Sequence, residues 1–267
     1  MKFKDIFGSE NQDYTSLPIK KAVVLLAIPM VVEMMMESIF AIVDIYFANH
    51  KLGNNAVQII GLSESLSMVI YSIAMGLSMA GTASVARRIG EQKPAEARKT
   101  AAHCILLSVL LALPLGVIGV CFAAPLLRLL SASETAIAEG KIFAQLLIGF
   151  NIVIFLLYVI NGVFRGAGNA VLAMKSLILA NVINIVLCPL LMSSMGIKGA
   201  ALATVIGRSA GVLYQVFLLR QRKNLLYCRA KISNGTRILP YPWYALRFPA
   251  PGSLSSLQAA GYLWPRW

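Results

Sequence analysis

Six times along this chain an apolar run of roughly 20 residues or more is bounded by charged residues, at approximately 20–48, 55–84, 101–127, 141–164, 171–194 and 199–219. A helix of about 20 apolar residues crosses the roughly 30 Å hydrocarbon core of a bilayer. Of the 267 residues 58% are hydrophobic and only 13% charged, against roughly 25% charged in a soluble domain. An ordinary soluble enzyme, a disordered chain and a disulfide scaffold are excluded together. The pattern predicts an all-α, multi-pass membrane protein with six transmembrane helices. The first 18 residues are polar and the first apolar run is long and acidic, so no signal peptide is read there.

Orientation follows from the short loops. Lys2, Lys4, Lys20, Lys21, Arg87, Arg88, Lys93, Arg98, Lys99, Arg165, Lys175, Arg220, Arg222 and Lys223 fall on one side; Lys51, Arg128, Lys141 and Lys198 fall on the other. The bias predicts both termini on the cytoplasmic face of the plasma (inner) membrane. It also accounts for most of the +13 net charge. These cations are strung along loops rather than gathered on one folded face, so nucleic acid is not an expected partner; the lipid bilayer is.

The organisation read from the sequence is a cytoplasmic N-terminus at 1–18, a six-helix lobe at 19–220 and a basic tail at 221–267. The tail is rich in proline and carries Trp243, Trp264 and Trp267, with no acidic residue beyond 228. Two readings of it stand: aromatics and arginines resting in the membrane interface, or an out-of-frame or disordered segment at the end of an interrupted gene, which the composition favours.

Ionisable residues inside membrane helices are costly and mark function. The first run carries Glu33, Glu37 and Asp44. At 100° per residue, Glu37 and Asp44 lie about 40° and about 20° from Glu33, so one narrow face is acidic over some 16 Å of rise. Pro29, just before this stripe, interrupts the hydrogen-bond ladder and is either a gate or a packing kink. Glu64 in the second run either pairs across the bundle or meets water. In the fourth run Asn151, Tyr158 and Arg165 recur every seven residues, with Asn161 about 80° away. The fifth offers Asn181, Asn184 and Cys188, and the sixth Thr204 and Arg208. Arg208 is too deep to snorkel and is expected to meet a carboxylate. Glu33, Glu37, Asn151, Tyr158, Asn161, Asn181 and Arg208 are therefore expected to line a shared cavity, the alternative being a packed polar seam. Gly207 and Gly211 allow a close helix contact, and Met34, Met35 and Met36 point in three directions.

Catalysis is not expected. No HExxH or GxSxG occurs, no nucleophile or metal faces the acidic stripe, and Cys104, Cys121, Cys188 and Cys228 show no ligand spacing. His50 and His103 stand at helix ends without sequence-local partners. No metal site and no organic cofactor are predicted.

Pro29 followed by Asp44, the stretch Phe164-Arg165-Gly166-Ala167-Gly168-Asn169, the run Asn184-Ile-Val-Leu-Cys188-Pro189 and the segment Gly196-Ile-Lys-Gly-Ala-Ala-Leu-Ala-Thr204 together resemble the multidrug and toxic compound extrusion (MATE) transporters. The resemblance covers about residues 15–226. It implies one six-helix lobe of a twelve-helix transporter and export of small cationic or amphipathic drugs or metabolites in exchange for H⁺ or Na⁺. It also implies a cation-coupling site at Asp44, Asn184, Cys188 and Thr204, with Pro29 as a gating kink. The third position departs from the family, where a second carboxylate stands in place of Cys188. A neutral thiol gives Na⁺ neither charge nor a hard oxygen, so H⁺ is the preferred coupling ion. Half the family's length implies a truncated copy, inactive alone, or a homodimer of parallel lobes supplying the missing second one. A lipid-linked saccharide flippase of the wider superfamily is the alternative, and would need more inward basic residues than Arg208.

Overall fold

The structure, a computed structural model, describes residues 18–130 and 134–221. The segments expected at 1–18 and 221–267 lie, but for their inner ends, outside the described residues, as does Cys228. Seven helices are formed among the described residues: α1 (Ile19–Leu52), α2 (Asn54–Gly90), α3 (Pro94–Leu129), α4 (Glu134–Gly149), α5 (Asn151–Gly166), α6 (Ala170–Met195) and α7 (Ile197–Gln221). They make six apolar spans long enough to cross a membrane, α4 and α5 together forming the fourth, Gly140–Gly166.

The fourth span is not the single helix expected from its unbroken hydropathy. It breaks at Phe150, whose backbone (φ −89°, ψ 20°) leaves the helical region, and a tighter bond from Val153 N–H to the Phe150 carbonyl carries the chain around the corner. Gly149, a poor helix former, precedes the break. α3 bends as well: Phe122 is non-helical (φ −111°, ψ 18°), three residues before Pro125, whose ring cannot sit against the carbonyl of Cys121. α1 continues through Pro29 over 34 residues, about 50 Å at 1.5 Å per residue.

Each outer helix buries one stripe and leaves the rest apolar and exposed, which suits a helix facing lipid. α1 buries Leu25, Pro29, Glu33, Phe40, Asp44 and Ala48, while Val31, Met35, Ile42 and Tyr46 point out. α5 sits at the centre, with Phe155, Leu157, Val159, Val163 and Phe164 wholly buried. It is stitched to α2 through hydroxyls: Ser78 Oγ donates to the Tyr158 carbonyl (2.6 Å) and Thr82 Oγ1 to the Gly162 carbonyl (2.9 Å). Such interhelical bonds hold bundles where lipid offers no hydrophobic drive. α6 and α7 form the other tight pair. Gly196 turns between them at φ +62°, a conformation strained for any other L-residue. Gly207 then lies against the Ala180 carbonyl and Asn184, and Gly211 against Ala180 and Leu157. These two glycines let the α7 backbone approach α6 as closely as their spacing allows.

Candidate functional site

α1 reaches into the bundle between α2, α6 and α7, and its acidic stripe is divided among three different helices. Glu33 meets α5: Arg165 Nη1 donates to Glu33 Oε2 at 2.8 Å, and the same guanidinium reaches Ser78 Oγ at 3.0 Å through Nη2. Both side chains are nearly covered, 12% and 9% exposed. Arg165 was expected among the loop cations. Standing near the end of α5, it turns inward because Glu33 offers a charge there, and removing one residue from the loop count leaves the bias intact.

Glu37 meets α7. Arg208 Nη2 stands 3.7 Å from Glu37 Oε2, so the carboxylate expected for Arg208 is present, at a distance too long for a hydrogen bond. Instead the guanidinium lies over two rings, 4.9 Å from the centre of Tyr71 and 5.6 Å from Phe40. Tyr71 in turn meets Tyr158 edge to face, with ring centres 6.0 Å apart.

Asp44, two turns further along α1, meets α6. Cys188 Sγ donates to Asp44 Oδ1 at 3.0 Å. One turn before Cys188, Asn184 Nδ2 donates to Thr204 Oγ1 of α7 at 3.1 Å, and that hydroxyl donates to the Ala200 carbonyl. All four side chains are buried, so the residues matched by resemblance converge as two hydrogen-bonded pairs. At the C-terminal end of α1, Lys51 Nζ donates to the Pro189 carbonyl at 2.6 Å, tying α1 to α6 beside Cys188. Among the described residues, no three of His, Cys, Asp and Glu gather at metal-binding distance.

A cavity of about 750 Å³ lies along the Glu33–Glu37 part of α1, and none of Asp44, Asn184, Cys188 and Thr204 lines it; its size is that of a site for a drug-like molecule. Glu33, Glu37, Glu64, Tyr158, Arg165 and Arg208 line it. Asn151, Asn161 and Asn181, expected with them, do not. Asn151 starts α5 and lies against Gly116 of α3. Asn161, about 80° round the helix, accepts from Gln215 Nε2 of α7 (2.7 Å), which also donates to the Leu157 carbonyl. Asn181 is buried on α6 away from the cavity.

Part of the lining is a methionine wall: Met30 and Met34 on α1, with Met68, Met75 and Met79 on α2. Met34 belongs to this wall while Met35, nearly as exposed as Met34, is not part of the lining. The wall escapes inspection of Met34–Met36 because it is assembled across two helices. The signal is the spacing within each, four on α1 and seven then four on α2, which returns to one face. Tyr71, seven residues after Glu64, is legible by the same arithmetic.

Known proteins share this fold. A sequence profile of the MatE family matches residues 29–190. A probable multidrug resistance protein of Bacillus subtilis, YoeA, is 27% identical over 76% of this chain and 45% of its own length. The FAD transporter of Shewanella oneidensis is 27% identical over 79% of this chain and 48% of its own. The chain thus spans about half the length of these relatives. Among solved structures, an outward-facing multidrug resistance MATE family transporter of the MOP superfamily superposes with a TM-score of 0.73 at 29% identity, covering 78% of this chain and 46% of that one. A fold of six membrane-crossing helices and a profile match over more than half of the residues place this chain in the MatE family.

Proposed function

We infer that this chain forms the ion-coupling lobe of a secondary active exporter of cationic or amphipathic compounds, with H⁺ as the coupling ion. The observation that carries this reading is the Cys188–Asp44 hydrogen bond. Where a Na⁺ site calls for two carboxylates or several hard oxygens, Asp44 here faces a neutral thiol. A proton needs only the carboxylate. Protonation of Asp44 removes its charge, weakens its hold on a bound cation and lets α1 bend at Pro29, where the helix ladder lacks one bond. The adjacent cavity holds the exported molecule, with Glu33, Glu37 and Glu64 attracting positive charge and the methionine wall taking its apolar part. The exposed side of that wall faces a second lobe, supplied by another copy of this chain or by a separate one. Both termini lie on the cytoplasmic side of the plasma membrane.

A second reading, a lipid-linked saccharide flippase, gains from Arg165 joining Arg208 in the lining. It loses because the Arg165 charge is already met by Glu33 at 2.8 Å.

The test is flux in vesicles holding the full chain, with ethidium as the cation. A pH jump at constant Na⁺ should drive ethidium movement, and Asp44→Asn should abolish it without lowering the amount of protein in the membrane. Flux that needs Na⁺ at constant pH and ignores the pH jump, or that survives in Asp44→Asn, overturns the reading.

A further inference from the structure

Three carboxylates and two guanidiniums line one apolar cavity, and their hydrogen-bonding groups are not all used on each other. Glu33 Oε1 and Glu37 Oε1 are buried acceptors without a donor. Arg208 Nη1 and Nη2 are buried donors without an acceptor, on a residue only 4% exposed. Closest to them are the Glu37 carboxylate at 3.7 Å and the faces of Tyr71 and Phe40, with Glu64 and Tyr158 in the same lining. Aromatic faces balance part of a cation's charge, but they do not accept the in-plane N–H bonds through which a guanidinium binds an oxyanion. A buried guanidinium lacking those bonds is expensive, and so is a buried carboxylate oxygen lacking a donor. Both deficits occur side by side, so a purely cationic guest would relieve only half of them.

We propose that Arg208 is the anion subsite of this cavity and that the preferred guest is a zwitterionic amphipath. Its carboxylate or phosphate is taken by Arg208 between Tyr71 and Phe40, its ammonium by the free oxygens of Glu33 and Glu37, and its apolar tail by the methionines of α1 and α2. Arg165 does not serve as the subsite, because its two terminal nitrogens are already bound to Glu33 and Ser78. This rests on reading the cavity as the substrate cavity and narrows the substrate class.

The experiment is equilibrium binding to the full chain in a neutral sugar-headed detergent, which needs neither an ion gradient nor a second lobe. Three ligands share a twelve-carbon tail: dodecyldimethylglycine (zwitterionic), dodecyltrimethylammonium (cationic) and dodecanoate (anionic). The zwitterion should bind about tenfold tighter than the cation, the effect of one charge-assisted pair. Arg208→Gln should erase that preference, so that the zwitterion binds no more tightly than the cation. Equal binding of zwitterion and cation by the wild type, or a preference that survives Arg208→Gln, overturns the subsite while leaving the exporter reading in place. Binding of none of the three overturns both. If Arg208→Gln does not fold, Glu37→Gln decides: freeing Arg208 from its competing carboxylate should tighten dodecanoate about tenfold, and an unchanged affinity overturns the proposal. Lysophosphatidylcholine distinguishes the guest's source. If it displaces the zwitterion the subsite takes a lipid headgroup, and if it does not the guest is a free amphipath; displacement lost in Arg208→Gln supports the subsite in the first case, and the headgroup preference above supports it in the second.

Discussion

The two ends of the acidic stripe on α1 are built differently. At Glu33 the carboxylate is paired with a guanidinium at 2.8 Å, and at Glu37 a second guanidinium stands 3.7 Å away. At Asp44 the partner is a thiol at 3.0 Å, with an amide–hydroxyl pair beside it. The first arrangement spends its charge on holding α1 to α5. The second leaves the carboxylate with a neutral donor, which steadies it without neutralising it. One helix face therefore carries two arrangements: an anchored lower half, towards the N-terminus of α1, and an upper half, towards its C-terminus, whose carboxylate meets a neutral donor.

The largest effect should come from breaking the anchored half. Arg165→Gln leaves Glu33 buried without its counter-charge and should destabilise the lobe by about 3–5 kcal/mol, read as a fall in the unfolding temperature of the detergent-solubilised chain. The double change Glu33→Gln with Arg165→Gln should recover most of the loss, since both charges then leave together. A single variant as stable as the wild type would mean that water already solvates Glu33.

At the upper half, Cys188→Ala removes the donor and leaves Asp44 Oδ1 with one bond fewer, a cost of about 1–3 kcal/mol on the same thermal assay. Cys188→Ser keeps a donor and should lie closer to the wild type. Cys188→Asp changes the chemistry more than the stability. It puts a second carboxylate beside Asp44 and should create Na⁺ binding, measurable with ²²Na⁺, that the wild type lacks. Equal Na⁺ binding by wild type and Cys188→Asp would show that the thiol does not set ion choice.

The smallest effect belongs outside the membrane, where Arg87 and Arg88 bond Glu91 at 2.9 and 3.0 Å after the end of α2. The Arg87 hydrogen bond holds the Glu91 carboxyl below the usual carboxylate range. Any stability from this pair is therefore present above that range and lost as pH falls through it. Arg87 is 77% exposed and the pair is screened, so Arg87→Gln should leave the unfolding temperature unchanged at neutral pH.

How much of this was legible depends on the distance over which each feature is written. The spans are local, and hydropathy finds all six, though it ends the second at 84, short of Gly90, and starts the third at 101, past Pro94, where charged turns of the same helices extend beyond the apolar run. The acidic face of α1 is written in one helix and yields to angular arithmetic. Its partners are not local: Arg165 stands at the margin of an apolar run and reads as a loop cation until the fold brings Glu33, 132 residues away, beside it. The break at Phe150 is invisible because apolar side chains continue across it, and what fails there is backbone geometry. Asn161 looked like a cavity residue because polar groups in lipid must go somewhere, but Gln215 on α7 claimed it. The four residues Asp44, Asn184, Cys188 and Thr204 were placed by resemblance rather than by spacing, and the two hydrogen bonds joining them in pairs are what the fold adds.

The central claim, that Asp44 exchanges a proton rather than holding Na⁺, is tested most directly by infrared spectroscopy of the carboxylic-acid carbonyl stretch in the full chain. A band that titrates with pH, is missing from Asp44→Asn and is indifferent to Na⁺ is the predicted result. A band abolished by Na⁺ at constant pH, or one that persists in Asp44→Asn, would contradict it.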